Sequence, residues 1–277
     1  MSERRAFFRE IVAGARDVAR GDEDLARGNE PVPRDEPALE RYSRQLVLPE
    51  WSEAAQRALA EASVLVVGAG ALGSPVATYL AGAGVGRLGI VDDGEVELSN
   101  LHRQHLHFTP DLGVPKAQSA AAKLRFLNPD VVVEPYRAEF TPAMVEGQDL
   151  VVDCTDSFAA RYAVNRACCA AGVPLVEAGV VGMTGLVMAI RPKQTACYRC
   201  AFPQAPPPGA LPTCAQAGIL GPAAGVIGSL QALEALKLLA GLPGGLTDAF
   251  LQVDLAALDF LRVAVRRRPD CPDCAGA

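Results

Sequence analysis

With 277 residues, half of them hydrophobic, the chain carries enough core-forming material for one large α/β domain or two ordinary ones, which excludes a disordered segment. Its 32 acids outnumber its 26 bases, giving a formal net charge of −6 with no basic stripe, and this argues against nucleic acid as a partner. No apolar run with signal-peptide flanks opens the sequence, so a cytoplasmic setting with reduced thiols is expected, and the eight cysteines are not read as a disulfide framework.

Residues 1–40 hold one amphipathic stretch, FFREIVAGARDVA, followed by Pro31, Pro33 and Pro37, which predicts an appended helix and a flexible linker ahead of a main domain over 41–277. Ser63 to Val67 is a β-branched run that ends in GAGALG, and the following SPVATYLAGAG has helical character. Strands are expected at Leu88 to Val91, Val131 to Glu134, Asp149 to Cys154 and Pro174 to Ala178, with helices at Lys116 to Leu127 and Phe158 to Ala171. This alternation predicts an α/β fold with a Rossmann-like, doubly wound, mostly parallel sheet. After Gly179 the rhythm changes. Leu186 to Ile190, Phe250 to Val253 and Phe260 to Val265 read as strands without helices of equal weight between them, so the second half is expected to extend the sheet with antiparallel strands. Pro203 to Pro212 is too rich in proline for an ordered element and predicts a surface loop. The uncharged stretch Ala215 to Leu233 is long enough to raise the question of a membrane span, but its Gly and Ala content and Pro222 favour a buried helix or a subunit interface.

Two local patterns carry chemistry. Gly68, Gly70 and Gly73 match GxGxxG, in which absent side chains let backbone amides approach a phosphate at a helix N-terminus, and Asp92 follows at the distance expected of a ribose-binding carboxylate. Tight-turn and loop roles are the plain alternatives for these residues. Cys197 and Cys200 with Cys271 and Cys274 form two CxxC pairs, a spacing that suits a four-sulfur zinc site of structural type; a redox pair is the rival reading. Cys154, Cys168 and Cys169 lie in apolar settings and are expected to be buried.

The ordered set RYSRQ (41–45), GAGALGS, VDDGEVELSNLHRQ, GVPKAQSA, DCTDS, CYRC, TCAQAG, GVIGSLQALEALK and CPDC resembles the ThiF/MoeB/HesA family, bacterial relatives of ubiquitin-activating enzymes, from about Arg41 to Cys274. The resemblance implies ATP-dependent adenylylation of the C-terminal glycine carboxylate of a small ubiquitin-like sulfur-carrier protein ending in Gly-Gly, with pyrophosphate as the leaving group. It places Asn100, Arg103 and Lys116 along the triphosphate, Asp92 on the ribose, Asp156 at magnesium and the reacting phosphate, and Ser99, Leu101, His102 and Ser157 among the nucleotide-binding positions. It sends Arg44 across a homodimer interface into the neighbour's site. Two anions must meet in this reaction, so cations such as Arg103 and Lys116 are what the chemistry needs. Cys214 matches a cysteine that becomes covalently loaded in some relatives; a buried small hydrophobe is the other reading, and both stand. No rhodanese-like segment follows Cys274, so a separate sulfur donor is expected. Gly94 stands where many relatives carry a second acid, and His102 where glutamine is common, which leaves nucleotide geometry open. An NAD-dependent oxidoreductase or a non-catalytic adaptor for a carrier protein are the competing functions.

Overall fold

The computed structural model describes residues 36–207 and 217–275, so the helix expected within 7–19, much of the proline-rich loop, and Cys214 lie outside the described residues. The chain divides into a unit Met1–Arg41 and a unit Tyr42–Ala277. Helix α1 (Glu36–Leu46) starts inside the stretch expected to be linker. Pro37 sits in its first turn, where a missing N–H leaves no helical bond unmade. Helix α2 (Glu53–Glu61) is capped by Ser52, whose hydroxyl accepts the Ala55 N–H at 3.1 Å.

Then strand β1 (Ser63–Val67) opens a βαβ series: helix α3 (Gly73–Ala83), β2 (Arg87–Val91), α4 (Lys116–Leu127), β3 (Val132–Tyr136), β4 (Leu150–Asp153), α5 (Phe158–Ala171) and β5 (Leu175–Val181). The second half adds β6 (Thr184–Ile190), the short α6 (Tyr198–Ala201), α7 (Gly221–Leu239), β7 (Ala249–Asp254) and β8 (Asp259–Ala264). All eight strands join one sheet in the order β3-β2-β1-β4-β5-β6-β7-β8. Pairs from β3 to β5 are parallel, and those from β5 to β8 antiparallel. The fold is therefore the expected α/β class, a mostly parallel sheet extended by antiparallel strands.

The central strands β1, β2 and β4 are buried on both faces because helices cover both. Val64, Val66, Leu88, Ile90, Leu150 and Val152 share one core with buried residues of α3, α4 and α7. Leu65, Val67, Val91, Val151 and Leu175, which alternate with them, share the other with Tyr162, Val164 and Cys168 of α5 and the cysteine pairs. The uncharged stretch read as a buried helix becomes α7, which lies against α3, β5 and β6 and buries Ala223, Ala224, Ile227, Gly228 and Gln231. Among the described residues no helix is long and apolar enough to cross a membrane.

Candidate active site and metal centre

The strand order reverses between β1 and β4: the chain leaves β1 toward β2 and β3, and leaves β4 toward β5. Connections that diverge in this way open a crevice at the carboxyl ends of the two strands. A cleft of about 580 Å³ occupies that point, within the range that takes small-molecule ligands. Its floor is the glycine turn. Gly68 has φ +98°, and a Cβ there would lie 2.8 Å from the Cys154 carbonyl oxygen; a Cβ on Gly73 would lie 2.0 Å from the Gly68 carbonyl oxygen. Only bare backbone lets β1 turn this sharply beside β4 and start α3 with its N-terminus at the cleft.

The turn is held from behind. Ala69 N–H donates to Asp92 Oδ2 at 2.8 Å, and Gly94 N–H donates to Oδ1 of the same carboxylate at 2.9 Å, so Asp92 organises two loops as well as lining the cleft. The Ala69 carbonyl meets Nε2 of buried His107 at 2.8 Å. A carbonyl only accepts, so Nε2 carries the proton and Nδ1 accepts from the Ser119 hydroxyl at 2.8 Å. Lys123 Nζ in turn donates to Ser119 Oγ at 2.8 Å. Burial, with Lys123 and Lys116 nearby, holds the His107 pKa below its ordinary value.

Arg103 and Lys116 both line the cleft. Arg103 is fixed by donating Nη1 to the Ser99 carbonyl at 2.8 Å, with His102 Nε2 2.9 Å away. Thus Ser99 and His102, which do not line the cleft, bear on it by orienting the guanidinium. Lys116 opens α4 and its backbone N–H donates to the Gly94 carbonyl at 2.9 Å; its Nζ lies 3.4 Å, and Asp92 Oδ1 3.1 Å, from where a Cβ on Gly94 would stand. Asn100 is buried with Oδ1 unpartnered among the described residues, and Leu101 is half-buried outside the cleft. Gln104, given no role by the sequence pattern, is buried in the cleft wall beside Gly70, with Oε1 unpartnered among the described residues. The opposite wall carries Asp156 and Ser157, and Ser157 also caps α5 by accepting the Ala160 N–H at 3.2 Å. Phe140 and the half-buried Ala138 complete one end, and Arg161, also unforeseen, completes the wall below Asp156. Arg44 is exposed on the last turn of α1 and is not in the lining of its own chain's cleft.

Cys154 lies in the cleft wall, but burial beside Asp153 and Glu177 drives its pKa well up, so it stays a thiol. Its Sγ donates to Gln231 Oε1 at 3.6 Å, while Gln231 Nε2 donates to the Asp153 carbonyl at 2.6 Å and the Val176 carbonyl at 3.2 Å. One amide from α7 thereby ties the ends of β4 and β5.

Away from the cleft, the sulfurs of Cys197, Cys200, Cys271 and Cys274 all lie within 4.8 Å of one another and are buried. Contacts of 3.8 Å (Cys197–Cys200), 3.6 Å (Cys197–Cys271) and 3.5 Å (Cys200–Cys274) match the sulfur separation of about 3.8 Å that a tetrahedral Zn–S bond of about 2.3 Å requires. Asn165 Nδ2 and the Arg268 backbone N–H face Cys197 and Cys200 sulfurs at 3.7 and 3.4 Å. Such donors stabilise thiolates, so the four residues fit a closed tetrathiolate zinc centre better than a redox pair.

The ThiF family model matches residues 42–273. A protein of Thermus thermophilus named sulfur carrier protein adenylyltransferase is 46% identical over 245 residues, covering 85% of this chain and 90% of that one. The pig protein named adenylyltransferase and sulfurtransferase MOCS3 is 49% identical over 239 residues, covering 84% of this chain and 52% of its own, so the chain spans about half the length of that relative. Among solved structures, MccB of E. coli aligns with a TM-score of 0.76 at 23% identity, over 86% of this chain and 74% of that one, which speaks to fold alone. With the glycine turn at the strand-order reversal and the family pattern running through both the cleft and the cysteine centre, this chain belongs to the ThiF family.

Proposed function

We propose that the chain is an adenylyltransferase that activates the C-terminal carboxylate of a ubiquitin-like sulfur-carrier protein with ATP, releasing pyrophosphate. The observation that carries this reading is the convergence of the glycine turn, Arg103, Lys116 and Asp156 on one cleft at the strand-order reversal. The names of the full-length relatives support the substrate class.

In this reading the amides at the start of α3 and the Arg103 and Lys116 cations hold the triphosphate. As the visiting carboxylate attacks the α-phosphorus, charge builds on the bridging oxygen to the departing diphosphate, and the two cations stabilise it. Asp92 takes the ribose while keeping its two backbone bonds. Magnesium, held by Asp156, would supply charge neutralisation on the phosphates, and one carboxylate beside phosphate oxygens is a sufficient protein share for that ion. Zinc in the four-cysteine centre supplies folding energy. Arg44 completes the neighbour's site in a homodimer, and Cys214 is the position for a covalent carrier intermediate; sulfur arrives from a separate donor.

ATP–pyrophosphate exchange in the presence of a carrier ending in Gly-Gly tests the proposal. Arg103→Ala is expected to lower the exchange rate about a hundredfold or more, as removal of one transition-state donor typically does. Carrier binding with no exchange in the parent protein would point to the adaptor alternative, a variant exchanging as fast as an active parent would remove Arg103 from the reaction, and nicotinamide binding with no exchange would point to the oxidoreductase.

A further inference from the structure

Beneath Asp156 lies a buried ionic cluster that the mechanism above does not use. Asp153 and Glu177 occupy paired positions on β4 and β5, and neither carboxylate is accessible to solvent. Arg161, in the first turn of α5, reaches under the strand ends; its Nε stands 3.3 Å from Glu177 Oε1 without the alignment of a hydrogen bond. The guanidinium lies so close to β5 that a Cβ on Gly179 would be 2.7 Å from Nη1.

What this cluster holds is the backbone of a single residue, through the two peptide units that flank it. Asp153 Oδ1 accepts the Thr155 N–H at 2.9 Å, and Arg161 Nη2 donates to the Thr155 carbonyl at 3.3 Å. Thr155 is thereby gripped at both ends, and the next residue is Asp156. Among the described residues, Asp153 Oδ2 and both Glu177 oxygens have no hydrogen-bond partner, although two acids and one cation share the space. A proton on Glu177 resolves this, since its O–H then donates to Asp153 and one negative charge remains opposite Arg161. Burial, followed by the Asp153 charge, pushes the Glu177 pKa well up, in keeping with a neutral carboxyl.

We propose that Arg161 and Glu177 are positioning residues for the Asp156 carboxylate, acting through the backbone of Thr155. Arg161 fixes the Thr155 carbonyl directly, and Glu177 fixes Asp153, which fixes the Thr155 amide. Only the role of Asp156 in this rests on the proposed function; the grip on Thr155 does not.

Because a lone Arg161→Met change would leave the Asp153 charge without its counter-charge, the informative variant is Arg161→Met with Asp153→Asn, which removes both charges, leaves Glu177 neutral and keeps an amide oxygen for the Thr155 N–H. Hydrogen exchange of peptides covering 153–157 is expected to speed up at least tenfold in this variant while exchange in β1 and β2 is unchanged. In ATP–pyrophosphate exchange the magnesium concentration for half-maximal rate should rise severalfold and the maximal rate fall at least tenfold, with the KM for ATP within threefold of the parent. Arg161→Lys, which keeps a donor, should fall between the two, and it carries the test if the double variant does not fold. Parental exchange protection at 153–157 in a folded variant overturns the proposal. A parent protein inactive with every carrier overturns the proposed function instead, and the hydrogen-exchange comparison still decides this one.

Discussion

The Ala69 carbonyl and its partner His107 show how one side chain sets the geometry of the glycine turn without touching the cleft. His107 is kept neutral, so the unfolded chain takes up a proton before the folded one does. The resulting stability is fully present above the ordinary histidine pKa of about 6.5 and is lost as the pH falls from there through the lowered folded value. Urea unfolding between pH 8 and pH 5 is expected to show this decline, with a flatter profile in His107→Gln, whose amide donates to Ala69 and does not titrate. The positions of the glycine turn and the cysteine pairs were legible because their signal is local spacing. Gln104, His107, Arg161 and Glu177 were not. Gln104 lay inside a quoted motif, but nothing in a linear string marks a buried amide with a free oxygen. The partners of the other three are up to 38 residues away in the chain, so their roles exist only once the strands are side by side.

At the level of elements, the same contrast between local and distant signals governs what was foreseen. Helices α4 and α5 begin and end where the sequence placed them, because Pro115 precedes one, Ser157 caps the other and Gly172 closes it. β5 and β6 run longer than their apolar cores, since antiparallel pairing from Leu175–Ile190 to Val181–Thr184 carries residues that no hydrophobic pattern reveals. α1 and α2 escaped notice because they are polar overall, although their few apolar residues gather on one face. The Ser157 cap fastens α5 just after Asp156, so Ser157→Ala is expected to cost about 1 kcal/mol in thermal or urea unfolding. Gly73→Ala is more severe: its methyl would displace the Gly68 carbonyl, and loss of nucleotide binding by calorimetry, together with a lowered melting temperature, is the expected result.

Across the whole molecule, the four-cysteine centre joins the start of α6 to the segment after β8, closing a long stretch that contains α7, β7 and β8. Linking distant residues restricts the unfolded chain, so a strong chelator should lower the melting temperature by many degrees, and elemental analysis should find one zinc per chain. If Arg44 serves a neighbouring site, mixing inactive Arg44→Ala and Asp156→Ala proteins should restore activity that neither has alone; a mixture as inactive as its parts would argue that each chain works unaided. The reversal of strand order has a practical corollary. Gly68, Asp92, Arg103 and Lys116 precede the exposed turn at Gly147, whereas Asp156, Arg161 and all four sulfur ligands follow it. A scission at that turn would leave each fragment with one bank of the reaction chamber and no turnover. Fused to two interacting proteins, the fragments would make a reporter whose signal depends on their reunion.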